Sequence, residues 1–330
     1  MRIMITGAAG GIGSTLAYFL NKSGHDLILI DNLRNGYIEN LTIDGFSFGQ
    51  LEKFDIRDLA NRSDLGSFDA VIHLAAITSL ADCESNPQET ISVNVEGTVS
   101  VLEFCRKNSV PYVIFSSTGA VYENNKETVF DETMEVNPRL MYSLSKNMAE
   151  QVCESYRVNY DMKITTLRFF NVFGPKQDIH RKTPPLLNYL VKQFSINQVP
   201  ILYSDGNQVR DYIHVNDVVR LIDICLEKNP NDTLNVCTNT LLSVREIVEY
   251  VKDQFGSDLK PIYRKADMLW ESYPQLFDGT FPLKKTVVQK EVTKYSRGSY
   301  DKAIRILGWQ PKTNLRELFA DTIMQIRSFV

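Results

Sequence analysis

Residues 2–13 read R-I-M-I-T-G-A-A-G-G-I-G, and this stretch decides the fold. A short apolar run ends in glycines at the spacing G-x-x-G-x-x-G, and a helix-like run follows. At such a junction Gly7 permits the tight turn, Gly10 lets a diphosphate approach the backbone, and Gly13 lets helix and strand pack closely. The helix N-terminus then offers free N–H groups to the diphosphate. The residues expected at this dinucleotide site are Gly7, Gly10, Gly11, Ile12 and Gly13.

The second apolar run, D-L-I-L-I-D, ends in Asp31, which lies 24 residues after Gly7. A carboxylate there accepts hydrogen bonds from ribose hydroxyls and repels a 2′-phosphate, so the expected cofactor is NAD rather than NADP. The alternative is a structural turn with a solvated aspartate. Asn32 follows in the turn and is also expected at the cofactor. Asp55 and Ile56 follow a third strand-like run, where Asp55 is either a ligand at the adenine edge or surface charge.

Further along the chain, apolar runs alternate with amphipathic segments. The predicted strands are 70–75, 112–116, 163–168 and 233–236, and the predicted helices are 87–107, 142–156 and 215–227. This alternation indicates a parallel sheet covered on both faces. We therefore predict an α/β fold, a Rossmann-type doubly wound parallel sheet with a smaller C-terminal α/β substrate domain. The predicted NAD-binding domain is 1–170 with a return over about 211–238, and the predicted substrate domain is 171–210 with 239–330.

A tyrosine and a lysine stand four residues apart, so Tyr142 and Lys146 share one face of a predicted helix. A phenol needs its pKa lowered by about three units to act as a base near pH 7, and a nearby cation lowers it. Thr118 lies just after a predicted strand, at the sheet edge where ligands bind in such folds. Taken separately, the pair fits a solvated helix face, and the hydroxyl fits strand-end capping. Together they indicate a redox site.

A resemblance to a known family adds to this interpretation. The motifs that carry it are, in chain order, T-G-A-A-G-G-I-G, I-D-N-L-R-N-G, H-L-A-A, V-N-V-E-G-T, F-S-S-T-G-A-V-Y, Y-S-L-S-K, R-F-F-N-V-F-G-P and G-N-Q-V-R-D-Y-I-H-V-N-D. They resemble the extended short-chain dehydrogenase/reductase family of NAD-dependent nucleotide-sugar epimerases and dehydratases, and within it UDP-glucose 4-epimerase most. The resemblance extends over nearly the whole chain, to L-G-W at 307–309.

The resemblance implies roles for individual residues. Tyr142 would be the catalytic base, Lys146 its pKa partner and a ribose ligand, and Thr118 the hydroxyl on the sugar oxygen. The further cofactor-binding residues would be Leu74, Ala75, Ala76 and Ser116, together with Asn94 as the buried asparagine near the site. The substrate-binding residues would be Thr78, Thr118, Asn171, Tyr203 and Arg210. Arg210 would pair with the nucleotide diphosphate, because a planar guanidinium forks onto phosphate oxygens; a salt bridge to Asp211 or Asp205 is the alternative. Tyr203 would stack near the nucleobase or belong to the core.

Two residues without ionisable side chains, Gly119 and Ala120, reduce the number of reactions that the resemblance allows. Family dehydratases usually carry Asp-Glu after the threonine, whereas this chain carries Gly119 and Ala120, which cannot transfer a proton. The expected function is therefore NAD-dependent epimerisation of a nucleotide-diphosphate sugar at C4, through a 4-keto intermediate. The alternatives are a 4-dehydrogenase or 4-ketoreductase and, less favoured, a 4,6-dehydratase or a non-catalytic NAD-binding protein. The aromatic, proline-rich stretch 267–285 departs from the family pattern, so the base and the sugar are not identified.

Composition limits the partners. The net charge of −4 provides no global basic field, so we expect no nucleic-acid partner. No apolar run approaches the ~20 residues of a membrane helix, so we expect no membrane partner. The five cysteines are scattered without a C-x-x-C pair, which favours a reduced cytoplasmic protein and no metal site. We expect a homodimer that packs helices 87–107 and 142–156 across a twofold axis, as relatives do.

Overall fold

The computed structural model describes residues 1–125, 127–312 and 314–327. Its strands are β1 (Arg2–Thr6), β2 (Asp26–Asp31), β3 (Thr42–Ile43), β4 (Phe46–Ser47), β5 (Gln50–Lys53), β6 (Ala70–His73), β7 (Tyr112–Thr118), β8 (Lys163–Phe169), β9 (Asn171–Phe173), β10 (Ile201–Tyr203), β11 (Val209–His214), β12 (Thr233–Val236), β13 (Leu241–Ser243) and β14 (Ile262–Arg264). Its α-helices are α1 (Gly11–Lys22), α2 (Leu80–Ser85), α3 (Pro87–Ile91), α4 (Gly97–Lys107), α5 (Met141–Tyr160), α6 (Leu186–Ser195), α7 (Val215–Lys228), α8 (Val244–Phe255), α9 (Lys285–Thr293), α10 (Asp301–Leu307) and α11 (Leu315–Arg327).

The main sheet has seven strands in the order β12-β8-β7-β6-β1-β2-β5, and every pair in it is parallel. The strands are apolar on both faces because each face is covered: α1, α7 and α10 pack on one side, and α4 and α5 on the other. This is the predicted Rossmann-type fold. The strand predicted at 233–236 joins this sheet beside β8, as expected.

One predicted helix is three elements in the structure. The segment predicted as a continuous helix over 87–107 forms α3, a π-helical stretch at Ser92–Glu96, and α4. The sequence periodicity predicted the helical face but not the wider turn, since one extra residue per turn hardly disturbs an apolar pattern. The buried side chain of Asn94 lies in this wider turn, beneath the site described below.

The C-terminal elements build a smaller unit beside the sheet. The strands form a three-stranded sheet, β13-β11-β9, and a parallel pair, β10-β14. Helices α6, α8 and α11 pack around a separate apolar core. Stretch 267–285 contains short 3₁₀ turns, at Ala266–Met268 and Pro274–Leu276, before α9 begins. Within the described ranges, no helix is both long enough and apolar enough to cross a membrane.

Candidate active site

A cleft of about 550 Å³ lies beyond the carboxyl ends of the central strands. The sequence-predicted residues that line it are Gly7, Gly10, Gly11, Ile12, Gly13, Asp31, Asn32, Asp55, Ile56, Leu74, Ala75, Ala76, Thr78, Ser116, Thr118, Tyr142, Lys146 and Asn171. Asn94, Tyr203 and Arg210 lie elsewhere. The tertiary structure thus brings most of the predicted cofactor and catalytic residues to one site, although they come from distant parts of the chain.

The glycine loop has the geometry that a dinucleotide requires. Gly7 adopts a φ of +70°, and a Cβ there would lie 2.7 Å from the backbone nitrogen of Ala75. A Cβ on Gly13 would lie 2.2 Å from the Gly7 carbonyl oxygen, so strand and helix could not pack as they do. Gly10 faces the cleft and precedes α1 without a side-chain cap, which leaves first-turn N–H groups for an anionic ligand. These residues fit the diphosphate of a dinucleotide.

Asp31 ends β2 with its carboxylate held at the rim of the cleft. The carboxylate accepts hydrogen bonds from the backbone N–H of Ala9 at 2.9 Å and of Leu33 at 2.8 Å. Burial raises the pKa of Asp31, and these two donors act against that rise. The side chain is therefore fixed in place for the ribose contact that its sequence position predicts.

Asp55 lines the cleft and is also engaged in the fold. Its carboxylate accepts hydrogen bonds from the Arg57 guanidinium at 2.9 Å and caps the following turn through the Arg57 N–H. The Nδ2 of Asn32 donates to the same carboxylate at 3.2 Å. Hydrogen bonding from Arg57 holds the pKa of Asp55 below its usual value. Asp55 is thus a paired surface charge that also borders the cleft, so the structure contains features of both roles considered for it.

The catalytic side chains meet where β7 ends and α5 begins. Thr118, Tyr142 and Lys146 all line the cleft there, and the Thr118 hydroxyl accepts from the Ala120 N–H at 3.1 Å. Burial raises the pKa of Tyr142 to about 12, while Thr118 and the positive charge of Arg181 lower it. The Lys146 ammonium lies 4.6 Å from the centre of the Phe115 ring, and burial lowers the pKa of Lys146 to about 8. The sequence predicted Tyr142, Lys146 and Thr118 but not the contribution of Arg181.

Asn94 is buried beneath the site, where it supports the catalytic helix, and it does not line the cleft as a cofactor ligand would. Its amide accepts from the Ile77 N–H at 2.8 Å and donates to the Ile77 carbonyl at 3.0 Å. Its Nδ2 also donates to the Ser145 hydroxyl at 2.9 Å, and that hydroxyl donates to the Tyr142 carbonyl at 2.7 Å. A buried amide is satisfied most completely by such fixed backbone partners. Asn94 is therefore a positioning residue for the loop after β6 and for α5.

A buried histidine continues this polar chain. The Nδ1 of His73 lies 2.7 Å from the Thr6 hydroxyl, and its Nε2 lies 3.1 Å from the Thr98 hydroxyl. Thr98 donates to the Asn94 carbonyl at 2.7 Å, so it can only accept from Nε2–H. Thr6 accepts from the Ala75 N–H at 3.3 Å and is free to donate to Nδ1. The network therefore selects the neutral Nε2–H tautomer, and burial lowers the pKa of His73 to about 3.

Arg210 does not face the cleft, contrary to the predicted diphosphate contact. Its guanidinium donates to the carbonyls of Glu291 at 2.7 Å, Val292 at 3.2 Å and Lys294, at the C-terminal end of α9. Unpaired carbonyls at a helix end attract a cation, and they take up the donors of this half-buried side chain. The alternative ion pair, with Asp211 or Asp205, is not formed among the described residues either. Arg210 anchors α9.

Tyr203 also lies outside the cleft. It ends β10, which pairs with β14. Burial, followed by the charge of Glu271, raises the pKa of Tyr203. The predicted stacking position near a nucleobase is therefore not where the structure places this ring. Its residue type and local spacing could not reveal a pairing with a strand about 60 residues away.

The positions next to Thr118 hold no acid, and the nearby acids are committed to the fold. A Cβ on Gly119 would already lie 3.0 Å from the Phe170 ring, so a carboxylate side chain there would displace that ring. Glu123 accepts from the N–H of Leu140 at 2.9 Å, at the start of α5. Glu150 is paired with Arg168 at 2.7 Å in a buried ion pair.

One end of the cleft contains residues that sequence reasoning did not single out. Ser79, Asp82 and Arg181 line it together with Tyr142. The Nε of Arg181 donates to the Thr183 carbonyl at 2.6 Å, and burial lowers the pKa of Arg181. A signal was present in the sequence, because the charged run D-I-H-R-K at 178–182 closely follows the R-F-F-N-V-F-G-P motif.

Comparisons with known proteins agree with this geometry. The model of the NAD dependent epimerase/dehydratase family matches residues 3–237. The UDP-glucose 4-epimerase of Mycolicibacterium smegmatis is 30% identical over 336 residues, which cover 99% of each chain. The solved UDP-glucose 4-epimerase of Thermotoga maritima, with UDP-glucose, is 30% identical with a TM-score of 0.88, and 100% of this chain and 99% of that chain are covered. The enzyme of Thermus thermophilus, solved with NAD, is 27% identical with a TM-score of 0.83 and full coverage of both chains.

Proposed function

This chain belongs to the NAD-dependent epimerase/dehydratase family, and from that premise we propose that it inverts C4 of a UDP-linked sugar such as UDP-glucose or its N-acetyl analogue. The observation that carries the proposal is that the pair Tyr142 and Thr118 lines the same cleft as the glycine loop. Gly119 and Ala120 add no proton donor beside this pair. Reversible redox at one carbon needs a base and a hydride carrier, and no further acid.

Tyr142 takes the proton of the C4 hydroxyl and later returns it. The Thr118 hydroxyl holds the C4 oxygen in place during both transfers. Since burial raises the pKa of Tyr142 to about 12, positive charge must favour the phenolate. Arg181 supplies one such charge. We infer that Lys146, one helical turn along α5 and with a pKa that burial lowers to about 8, supplies another. The phenol is therefore a base only in the fully assembled site.

NAD, when bound, supplies a hydride acceptor and donor at C4 and a further positive charge near the phenol. The backbone around Gly10 and the carboxylate of Asp31 would hold its diphosphate and ribose. The 4-keto sugar would then turn over in the cleft, so that C4 takes back the hydride on its opposite face. The configuration at C4 would thereby be inverted. Because the redox state of the cofactor is unchanged after each cycle, turnover should need no added NAD.

The test uses the purified protein with UDP-glucose or UDP-galactose and no added cofactor, and it follows formation of the epimer by chromatography. Tyr142→Phe should lose about 10²–10⁴ of turnover, the usual contribution of a general base, while it retains NAD. Tyr160→Phe is the matched control, since Tyr160 is an exposed tyrosine at the far end of the same helix. Unchanged turnover in Tyr142→Phe would refute the mechanism. Net NADH formation without epimer would instead favour a 4-dehydrogenase.

We also propose a homodimer formed through α4 and α5. These helices pack against each other, yet Val99, Leu144 and Met148 on them are only half buried. Half-buried apolar side chains on two adjacent helices suit a twofold four-helix contact. Light scattering at micromolar concentration should give twice the chain mass, and a monomer would refute this assembly.

A cytoplasmic location is proposed from the thiols. Cys83, Cys105, Cys153, Cys225 and Cys237 are all buried and free. Free thiols throughout a chain of this size suit a reducing compartment. Fractionation of the source cells should place the activity in the soluble fraction inside the cytoplasmic membrane.

A further inference from the structure

The aromatic stretch 267–285, which departs from the family pattern, packs against the active site. Trp270 and Tyr273 are buried in a small apolar cluster with Ala81 and Leu140. Ala81 belongs to α2, and Leu140 immediately precedes α5, whose second residue is the catalytic tyrosine. This stretch, called the outer segment below, therefore covers the two elements that form one end of the cleft.

The phenol of Tyr273 connects the outer segment to the cleft. Tyr273 is 2% exposed, and its hydroxyl donates to Oδ1 of Asp82 at 2.7 Å. The hydroxyls of Ser79 and Thr183 lie 3.2 Å apart, and both act to lower the pKa of this phenol. The Lys182 ammonium lies 4.1 Å from the centre of the Tyr273 ring. These contacts fix the phenol and, through it, the orientation of the Asp82 carboxylate.

Asp82 in turn lines the cleft in company with Arg181 and the catalytic Tyr142. The Tyr273 phenol donates to Oδ1 of Asp82, and no group of the described residues donates a hydrogen bond to Oδ2. The Oδ2 atom can therefore accept a hydrogen bond from a ligand. The charge of Arg181 interacts with both Asp82 and Tyr142, so this polar group lies at the end of the cleft where the reacting sugar must be. A carboxylate is an acceptor, and sugar hydroxyls are donors.

We propose that Asp82, held by Tyr273 of the outer segment, is a specificity-determining residue that accepts a hydrogen bond from a hydroxyl of the sugar and selects neutral sugars over uronates. The inference rests on the proposed function, since it concerns the sugar of that reaction. Arg181 is flanked by two carboxylates, those of Asp82 and Asp178. A uronate would bring a third negative charge to one guanidinium, in a half-buried site where screening by solvent is weak. A neutral sugar can hydrogen-bond with the Asp82 carboxylate and the Arg181 guanidinium without that repulsion.

The experiment compares UDP-glucose with UDP-glucuronate on the NAD-loaded enzyme. The wild type should favour UDP-glucose. Asp82→Asn keeps the size and one acceptor oxygen but removes the charge, so the ratio of kcat/KM for the uronate to that for the neutral sugar should rise about ten-fold or more. Tyr273→Phe should raise KM for UDP-glucose about three- to ten-fold with little change in kcat. Adding Tyr273→Phe to Asp82→Asn should have almost no further effect, because both act through one hydrogen bond.

Phe281→Ala is the matched control, since Phe281 lies on the outer segment and is 96% exposed. A wild-type preference for the uronate, or a ratio in Asp82→Asn within two-fold of wild type, would overturn the inference. Thermal unfolding checks that Tyr273→Phe is folded. If Tyr273→Phe does not fold, the result for Asp82→Asn is the test of the inference. Titration calorimetry of both nucleotide sugars provides a readout apart from turnover. If no sugar is epimerised, the proposed function fails, whereas the binding ratio in Asp82→Asn still decides the role of Asp82.

Discussion

Acid should destabilise this protein through His73, a buried residue that lies under the active site and does not line the cleft. Its imidazole is buried between the hydroxyls of Thr6 and Thr98, which serve as hydrogen-bond partners of the neutral ring. A proton on Nδ1 would face the Thr6 hydroxyl and be repelled by the charge of Lys146. Burial first, and Lys146 second, lower the pKa of His73 from 6.5 to about 3.

The direction of the effect follows from that lowered pKa. In the unfolded chain His73 binds a proton below pH 6.5, whereas the folded chain resists protonation down to about pH 3. The stabilisation is therefore complete above pH 6.5 and is lost as the pH falls. Between pH 6.5 and 5, at 1.36 kcal/mol per pH unit, the free energy of unfolding should fall by about 2 kcal/mol on account of His73.

Two assays check this value. The chain has only four histidines, so ¹H–¹⁵N spectra of the imidazoles should resolve His73, assigned by its loss in His73→Asn. The resonances should report a neutral Nε2–H ring that does not titrate above pH 5. Urea unfolding should be measured at pH 8 and at pH 5 for both proteins. Between these pH values the free energy of unfolding should fall by about 2 kcal/mol more in the wild type than in His73→Asn, because the other titrating groups, such as His214, are the same in both. A His73 that titrates between pH 6 and 7, or equal pH slopes in the two proteins, would refute the reasoning.

The remaining predictions concern the cofactor loop. Gly13→Ala should destabilise the fold by about 1–3 kcal/mol or more and abolish NAD retention, because the added Cβ would lie 2.2 Å from the Gly7 carbonyl oxygen. A melting temperature equal to that of the wild type would contradict this prediction. In Gly10→Ala the new Cβ has an ordinary 3.4 Å contact, so the melting temperature should hold while NAD affinity falls, as fluorescence titration can measure. Asp31→Asn should reduce the preference for NAD over NADP by about ten-fold, near 1.4 kcal/mol, and an unchanged ratio of the two dissociation constants would remove Asp31 from the ribose site.

Much of the fold and the cofactor site could be read from local patterns. The glycine spacing and the acid at the end of β2 depend on backbone geometry within about 30 residues, and backbone geometry is what short-range sequence encodes. The spacing of Tyr142 and Lys146 likewise required only one helical turn. Thr118 was identified because strand ends in a doubly wound sheet converge on one edge.

Only the tertiary structure decided what the long-range polar groups do. Arg210 has the sequence context of a phosphate ligand, but the free carbonyls at the end of α9, about 80 residues later, take its donors. Asn94 reaches the site through Ile77 and Ser145, because its amide, in the π-helical turn, points to their polar groups and not into the cleft. The hydrogen bond of Tyr273 to Asp82 spans 191 residues. Sequence spacing reveals a side chain's neighbours within one element, whereas a buried polar group takes the nearest partner in space, wherever that partner lies along the chain.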